Sequence, residues 1–122
     1  MILCIDDEAN GLLVRKMFLQ SQGHEVLTAL NGPEGLALFA AHPIKIVVLD
    51  YLMPGMNGGE VAAAMKRLKP AVKILLYSAY VDLPEDAVKW ADRCAVKGAA
   101  PEAFLGTVRQ LLSCEKPASP AF

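Results

Sequence analysis

Two short runs, Ile2-Leu3-Cys4-Ile5 and Ile46-Val47-Val48-Leu49, are apolar at every position, and each runs directly into acid. Asp6-Asp7-Glu8 follows the first and Asp50 follows the second. Strands that are apolar throughout, rather than alternating, are buried on both faces, as in a parallel sheet covered by helices. Apolar residues make up 54% of the chain, above the usual 45–50% or so, in keeping with such a doubly covered sheet. Strand and helix signals alternate five times, which predicts an α/β fold. Its sheet is expected to be open, doubly wound and parallel, with five strands and right-handed crossovers.

The individual elements follow from local chemistry. Strands are expected at about 2–5, 25–29, 45–49, 72–77 and 93–96. The first helix is expected from Ala9 to Gln22, with Leu13, Met17 and Gln20 along one line, Val14 and Phe18 beside it, and Gly23 as its stop. Gly32-Pro33 opens the second helix, with Pro at its first position and a buried stripe of Leu36, Phe39 and Ala40. Asn57 with Glu60 is a capping box for the third, whose stripe is Val61, Ala64, Met65 and Leu68. Asp82 with Glu85 signals the start of a short fourth helix reaching Trp90. Pro101 opens a fifth, with Phe104, Leu105, Val108, Leu111 and Leu112 on one face. Residues 1–114 read as one domain; 115–122, with Pro117 and Pro120, read as a tail or linker stub.

In an open α/β sheet, ligands bind beyond the carboxyl ends of the strands. Asp6, Asp7, Asp50, Ser78 and Lys97 all fall there. Two carboxylates about 4 Å apart repel by about 4 kcal/mol at an effective dielectric near 20. A fold has no use for that cost, whereas a hard cation such as Mg²⁺ requires oxygen ligands of this type. A divalent ion held by Asp7 and Asp50, with Asp6 close by, accounts for the surplus better than helix capping does. Asp50 could bind metal, act as a base or attack phosphorus as a nucleophile. Ser78 taken alone is an ordinary turn serine, and Lys97 alone a solvated lysine. Together the strand ends deliver carboxylates, a hydroxyl and an amine to one edge, the requirements of phosphoryl transfer. His24 and His42 lie at the opposite ends of their elements and are given no role.

Other function classes are disfavoured. The net charge of −1 gives no electrostatic footprint for direct nucleic-acid binding. No apolar stretch approaches the roughly 20 residues of a membrane span, and no secretory signal precedes the first strand. Cys4, Cys94 and Cys114 read as reduced thiols, which suggests a cytoplasmic setting.

With these residues in view, the chain resembles the receiver domain of two-component response regulators. The matching pieces are Asp6-Asp7, the segment from Leu49 to Gly58, Ser78-Ala79 and Lys97, and the likeness runs from Met1 to about Ser113. The most specific element is Asp50-x-x-Met53-Pro54-x-Met56-x-Gly58. The resemblance implies a flavodoxin-like sheet of order 2-1-3-4-5. It also implies phosphoryl transfer to Asp50 from a histidine kinase or histidine phosphotransfer protein, in a regulatory acceptor that assists its own modification rather than an enzyme. Asp7 and Asp50 would hold Mg²⁺, with Asp6 acting through water and the Leu52 carbonyl as a further ligand. Ser78 and Lys97 would contact the phosphoryl oxygens. A homodimer and an output partner or domain are further implications.

Two positions depart from the family pattern. Cys94 stands where a rotating Tyr or Phe is usual, and Gly98 where Pro usually follows the lysine. A muted or rerouted response to phosphorylation is therefore expected, with Tyr80 as the remaining aromatic candidate. The stretch from Ser78 to Lys97 is also shorter than usual for the family, so a stunted fourth helix is expected. A phosphorylation-independent pseudo-receiver, acting as a docking module, is the rival on the same fold. A flavin-binding protein is the other, but Asp6-Asp7-Glu8 would repel the phosphate that such a loop must cradle.

Overall fold

The computed structural model describes residues 1–79, 82–98 and 100–113. Five strands and five helices alternate: β1 (Ile2–Ile5), α1 (Ala9–Ser21), β2 (Val26–Ala29), α2 (Gly32–Ala41), β3 (Ile46–Leu49), α3 (Gly58–Leu68), β4 (Lys73–Ser78), α4 (Glu85–Val88), β5 (Arg93–Val96) and α5 (Pro101–Ser113). All strand pairs are parallel, in the order β2-β1-β3-β4-β5. The expected fold class and strand order are those observed.

Side-chain alternation divides the core into two layers. Leu3, Ile5, Val47, Leu49, Ile74 and Leu76 pack with Phe39 of α2 and Val61 and Met65 of α3. Ile2, Cys4, Ile46, Val48 and Leu75 pack with Leu12 and Leu19 of α1 and Phe104, Val108 and Leu111 of α5. Each of β1 and β3 is wholly buried because both of its faces meet a helical layer.

Several helix faces differ from expectation. In α1 the buried residues are Leu12, Arg15 and Leu19, while Leu13, Val14, Met17, Phe18 and Gln20 are exposed. An arginine on the inward stripe disguised it, and the outer face is the more apolar one. In α2 Phe39 is buried and Leu36 half-buried, but Ala40 is exposed; Gly32 and Gly35 bring the helix onto the sheet. Pro33 is the second helical residue, after Asn31 as cap. In α3 Val61, Ala62, Ala63 and Met65 are buried and Leu68 is exposed. The Asn57–Glu60 capping box forms in both directions, at 2.9 and 3.0 Å.

The fourth helix is a single turn capped by Pro84 rather than by Asp82. It is stunted, as expected from the short span between β4 and β5. Gly23 has φ +89°, the left-handed value a helix stop needs. Tyr80, Cys114 and the tail 115–122 lie outside the described residues.

Candidate functional site

The register of the sheet places the acids. Ile5 is paired with Leu49, and the Asp50 N–H donates to the Ile5 carbonyl at 3.0 Å, so Asp6 and Asp50 leave adjacent strands side by side. Ser78 is paired with Val96, and the Lys97 N–H donates to the Ser78 carbonyl at 2.7 Å. Alternation then sorts the side chains. Asp6 continues the series of Ile2 and Cys4, Asp50 that of Ile46 and Val48, and Lys97 that of Ala95, all on the α1/α5 side. Ser78 continues Ile74 and Leu76 on the other side and is buried.

The spacing of the loop from Asp50 to Gly58 has a geometric basis. Gly55 turns the chain with φ +82°. Met53 is buried and Met56 packs against the core. The Gly58 N–H donates to the Tyr51 carbonyl at 2.8 Å, and a Cβ at Gly58 would lie 2.7 Å from the Asp50 carbonyl oxygen. The start of α3 therefore rests directly on the backbone of Asp50, which fixes where that carboxylate projects.

A carboxylate oxygen from each of Asp6, Asp7 and Asp50 lies within 4.8 Å of the others. Asp6 and Asp50 are buried, and Asp7 is exposed. Lys97 Nζ donates to Asp6 Oδ2 at 2.7 Å and lies 3.3 Å from Asp50 Oδ1. Arg15 Nη2 donates to the same Asp6 Oδ2 at 3.1 Å, and the Glu8 N–H donates to Asp6 Oδ1 at 3.0 Å. Above them opens a cleft of about 320 Å³ lined by Asp7, Glu8, Asp50, Leu52, Ser78, Ala79 and Lys97. Asp6 sits beneath this cleft.

The electrostatics divide the two buried acids. Burial pushes both carboxyls up. At Asp6 the hydrogen bonds from Lys97 and Glu8, with the charges of Lys97 and Arg15, outweigh burial and hold it below its ordinary value. At Asp50 burial and the charges of Asp6 and Asp7 prevail over Lys97, so its carboxyl is raised. Lys97 is raised in turn, because its bonds and charge partners outweigh the effect of its burial. Folding thus buries Asp50 beside two further carboxylates, with Lys97 as its cationic neighbour. Hard oxygen donors in surplus negative charge fit a divalent cation of the Mg²⁺ type. Burial pushes the Cys4 thiol up to about 12, so it is an inert core residue.

Every side chain expected at the site from the sequence is brought to this edge. Arg15 was missed. Its signal was a basic residue in the series Leu12, Arg15, Leu19, which reaches the acidic strand ends.

A family model for the response regulator receiver domain matches residues 2–99. The chain belongs to that family. Among solved structures it is similar to the response regulator protein TrrA from Thermotoga maritima in complex with Mg(2+)-BeF, with a TM-score of 0.86 and 37% identity over 90% of this chain and 96% of that one. A CheY-like receiver domain protein from Methanospirillum hungatei superposes with a TM-score of 0.87 at 28% identity, covering 93% of this chain and 94% of that one. Among curated proteins, the probable transcriptional regulator ycf27 of Cyanophora paradoxa is 30% identical over 91% of this chain and 47% of its own length. The chain spans less than half the length of the curated relatives it matches, down to 19% for the transcriptional regulatory protein GlrR of Escherichia coli. Among the described residues no helix is long and apolar enough to cross a membrane.

Proposed function

We propose that this receiver domain accepts a phosphoryl group on Asp50 from a histidine kinase or histidine phosphotransfer protein, in an Mg²⁺-dependent step of two-component signalling. The observation that carries this is the position of Asp50, at the end of the central strand, within the acidic cluster and 3.3 Å from Lys97. A structure of TrrA in complex with the histidine kinase ThkA, 37% identical to this chain, supports a kinase as the partner class.

In the transfer, an Asp50 carboxylate oxygen forms a bond to phosphorus as the donor's P–N bond breaks, and the bonding pair stays on the imidazole nitrogen. Catalysis of such a step is mostly positioning and charge neutralisation. Mg²⁺, when bound, neutralises charge on the phosphoryl oxygens. Asp7 and Asp50 would hold it, with the Leu52 carbonyl as a further ligand. Both oxygens of Asp6 already accept hydrogen bonds from the protein, which suits it to act through water. Lys97 would pass from Asp6 to a phosphoryl oxygen, and Ser78 would donate to another. The domain is then a regulatory acceptor that assists its own modification. A cytoplasmic setting, an output partner or domain, and self-association belong to the same reading.

The test is intact mass after incubation with acetyl phosphate and Mg²⁺. The wild type should gain one phosphoryl group, and Asp50→Ala should gain none. Labelling of the variant to the wild-type level overturns the assignment. A wild type that is never labelled favours a phosphorylation-independent docking module, the rival raised by the departures from the family pattern at Cys94 and Gly98.

A further inference from the structure

We propose that Arg15 is a positioning residue that sets the charge balance of the acidic cluster, weakening Mg²⁺ at the unmodified site and favouring the phosphorylated one. The inference rests on the function proposed above for Asp50. Arg15 is buried on the inward stripe of α1, where its neighbours Leu12 and Leu19 are core residues. Nη2 is bonded to Asp6 Oδ2, and the guanidinium carbon lies 4.9 Å from the centroid of the Tyr77 ring. Tyr77 is in turn held against Phe104 of α5, with ring centroids 5.1 Å apart. Nη1 is buried and makes no hydrogen bond among the described residues. A buried donor without a partner costs stability, so packing alone gives no reason for an arginine where a leucine would continue the stripe. The group is held in place by Asp6 and Tyr77, and what it supplies there is charge.

Asp6 Oδ2 is shared by Arg15 and Lys97. When Lys97 moves to a phosphoryl oxygen, Arg15 keeps the buried Asp6 paired, so the movement leaves no isolated buried charge, which would be expensive. The formal charges give the same direction. Three carboxylates, Lys97 and Arg15 together carry one net negative charge. A divalent cation makes the cluster positive by one. A phosphoryl group, which raises the charge at Asp50 to about two negative, returns it to neutral. Without Arg15, the metal-bound unmodified site would be neutral and the phosphorylated site negative. Arg15 therefore opposes the cation at the first step and favours the anion at the second.

The opposite signs separate this role from a structural one. Mg²⁺ affinity is measured by calorimetry, followed by beryllofluoride affinity at saturating Mg²⁺, for the wild type, Arg15→Met and Arg15→Lys. Arg15→Met should bind Mg²⁺ more tightly by roughly threefold or more, and beryllofluoride more weakly by a similar factor, from the loss of one nearby charge. Arg15→Lys, which keeps the charge, should leave both within about twofold of wild type. Two affinities that fall together, or that do not move, overturn the proposal. Should Arg15→Met fail to fold, Arg15→Gln removes the same charge; failure of both to fold makes the role structural and also overturns it. A wild type that binds neither Mg²⁺ nor beryllofluoride instead overturns the function on which the inference rests, and the inference with it.

Discussion

Lys97 Nζ lies closer to Asp6, at 2.7 Å, than to Asp50, at 3.3 Å. The lysine is thus bound chiefly to the acid that lies beneath the cleft, and the acid that opens into the cleft is left incompletely neutralised. Burial pushes both carboxyls up; at Asp6 the bonds and charges of Lys97, Glu8 and Arg15 outweigh it, and at Asp50 Lys97 does not.

The two shifts have opposite consequences for stability. Asp6, lowered on folding, contributes stability that is present above its ordinary value of 3.8 and lost as pH falls through the folded value. Asp50, raised on folding, destabilises the metal-free protein as pH rises from 3.8 through its folded value. Asp50→Asn should therefore raise the melting temperature of the metal-free protein at neutral pH by a few degrees. The gain should vanish below the carboxylate range, where Asp50 is protonated in both states. Thermal unfolding of the pair in EDTA between acid and neutral pH checks this, and an equal gain at both ends would contradict it.

Asp7 is the exposed member of the cluster, so its charge can be removed with little disturbance to packing. Asp7→Asn should weaken Mg²⁺ while leaving the metal-free fold as stable as wild type or more so. Calorimetry against Mg²⁺ and denaturant unfolding in EDTA give the two numbers. Unchanged affinity would remove Asp7 from the metal site.

Gly58 is fixed by the close approach of α3 to the Asp50 backbone. A Cβ there would lie 2.7 Å from the Asp50 carbonyl oxygen and 2.8 Å from Tyr51 Cα, both backbone atoms that cannot swing aside. Gly58→Ala should cost about 1–3 kcal/mol, the usual price of overpacking, and should slow labelling by acetyl phosphate because Asp50 is displaced. Gly106→Ala is the control, since nothing lies within 4 Å of a Cβ at that position. It should be neutral or slightly stabilising within a helix, by up to about 1 kcal/mol.

The conformational response should stay near the site. Cys94 is exposed on β5 and too small to act as a ring that alternates between buried and exposed states. Transmission of a signal requires an element with two discrete arrangements that the site can bias. Amide exchange with and without beryllofluoride should change in the loops after Asp50 and Ser78, with little change across Arg93–Val96 or α5. A cooperative change through β5 and α5 would show that the switch works without its usual aromatic.

The alternation of apolar runs with helical patterns pointed to the parallel α/β fold, because β1 and β3 are buried on both faces and a helical segment separates each strand from the next. The position of the acids was legible for a related reason: a residue following the last strand position can only emerge at the carboxyl edge. The Asn57–Glu60 cap and the Gly23 stop were local, and local chemistry foretold them. Tertiary structure alone decided which stripe of each helix turned inward. Leu13, Val14, Met17 and Phe18 make the more apolar face of α1, yet they are exposed, while Leu12 and Leu19 pack in the core and Arg15 between them reaches Asp6. It also decided that Lys97 binds Asp6 ahead of Asp50, since both acids and the lysine share one side of the sheet and only distances rank them. Sequence specifies periodicity and the order of strand ends; pairing among buried charges depends on which side chains meet across strands and helices far apart in the chain.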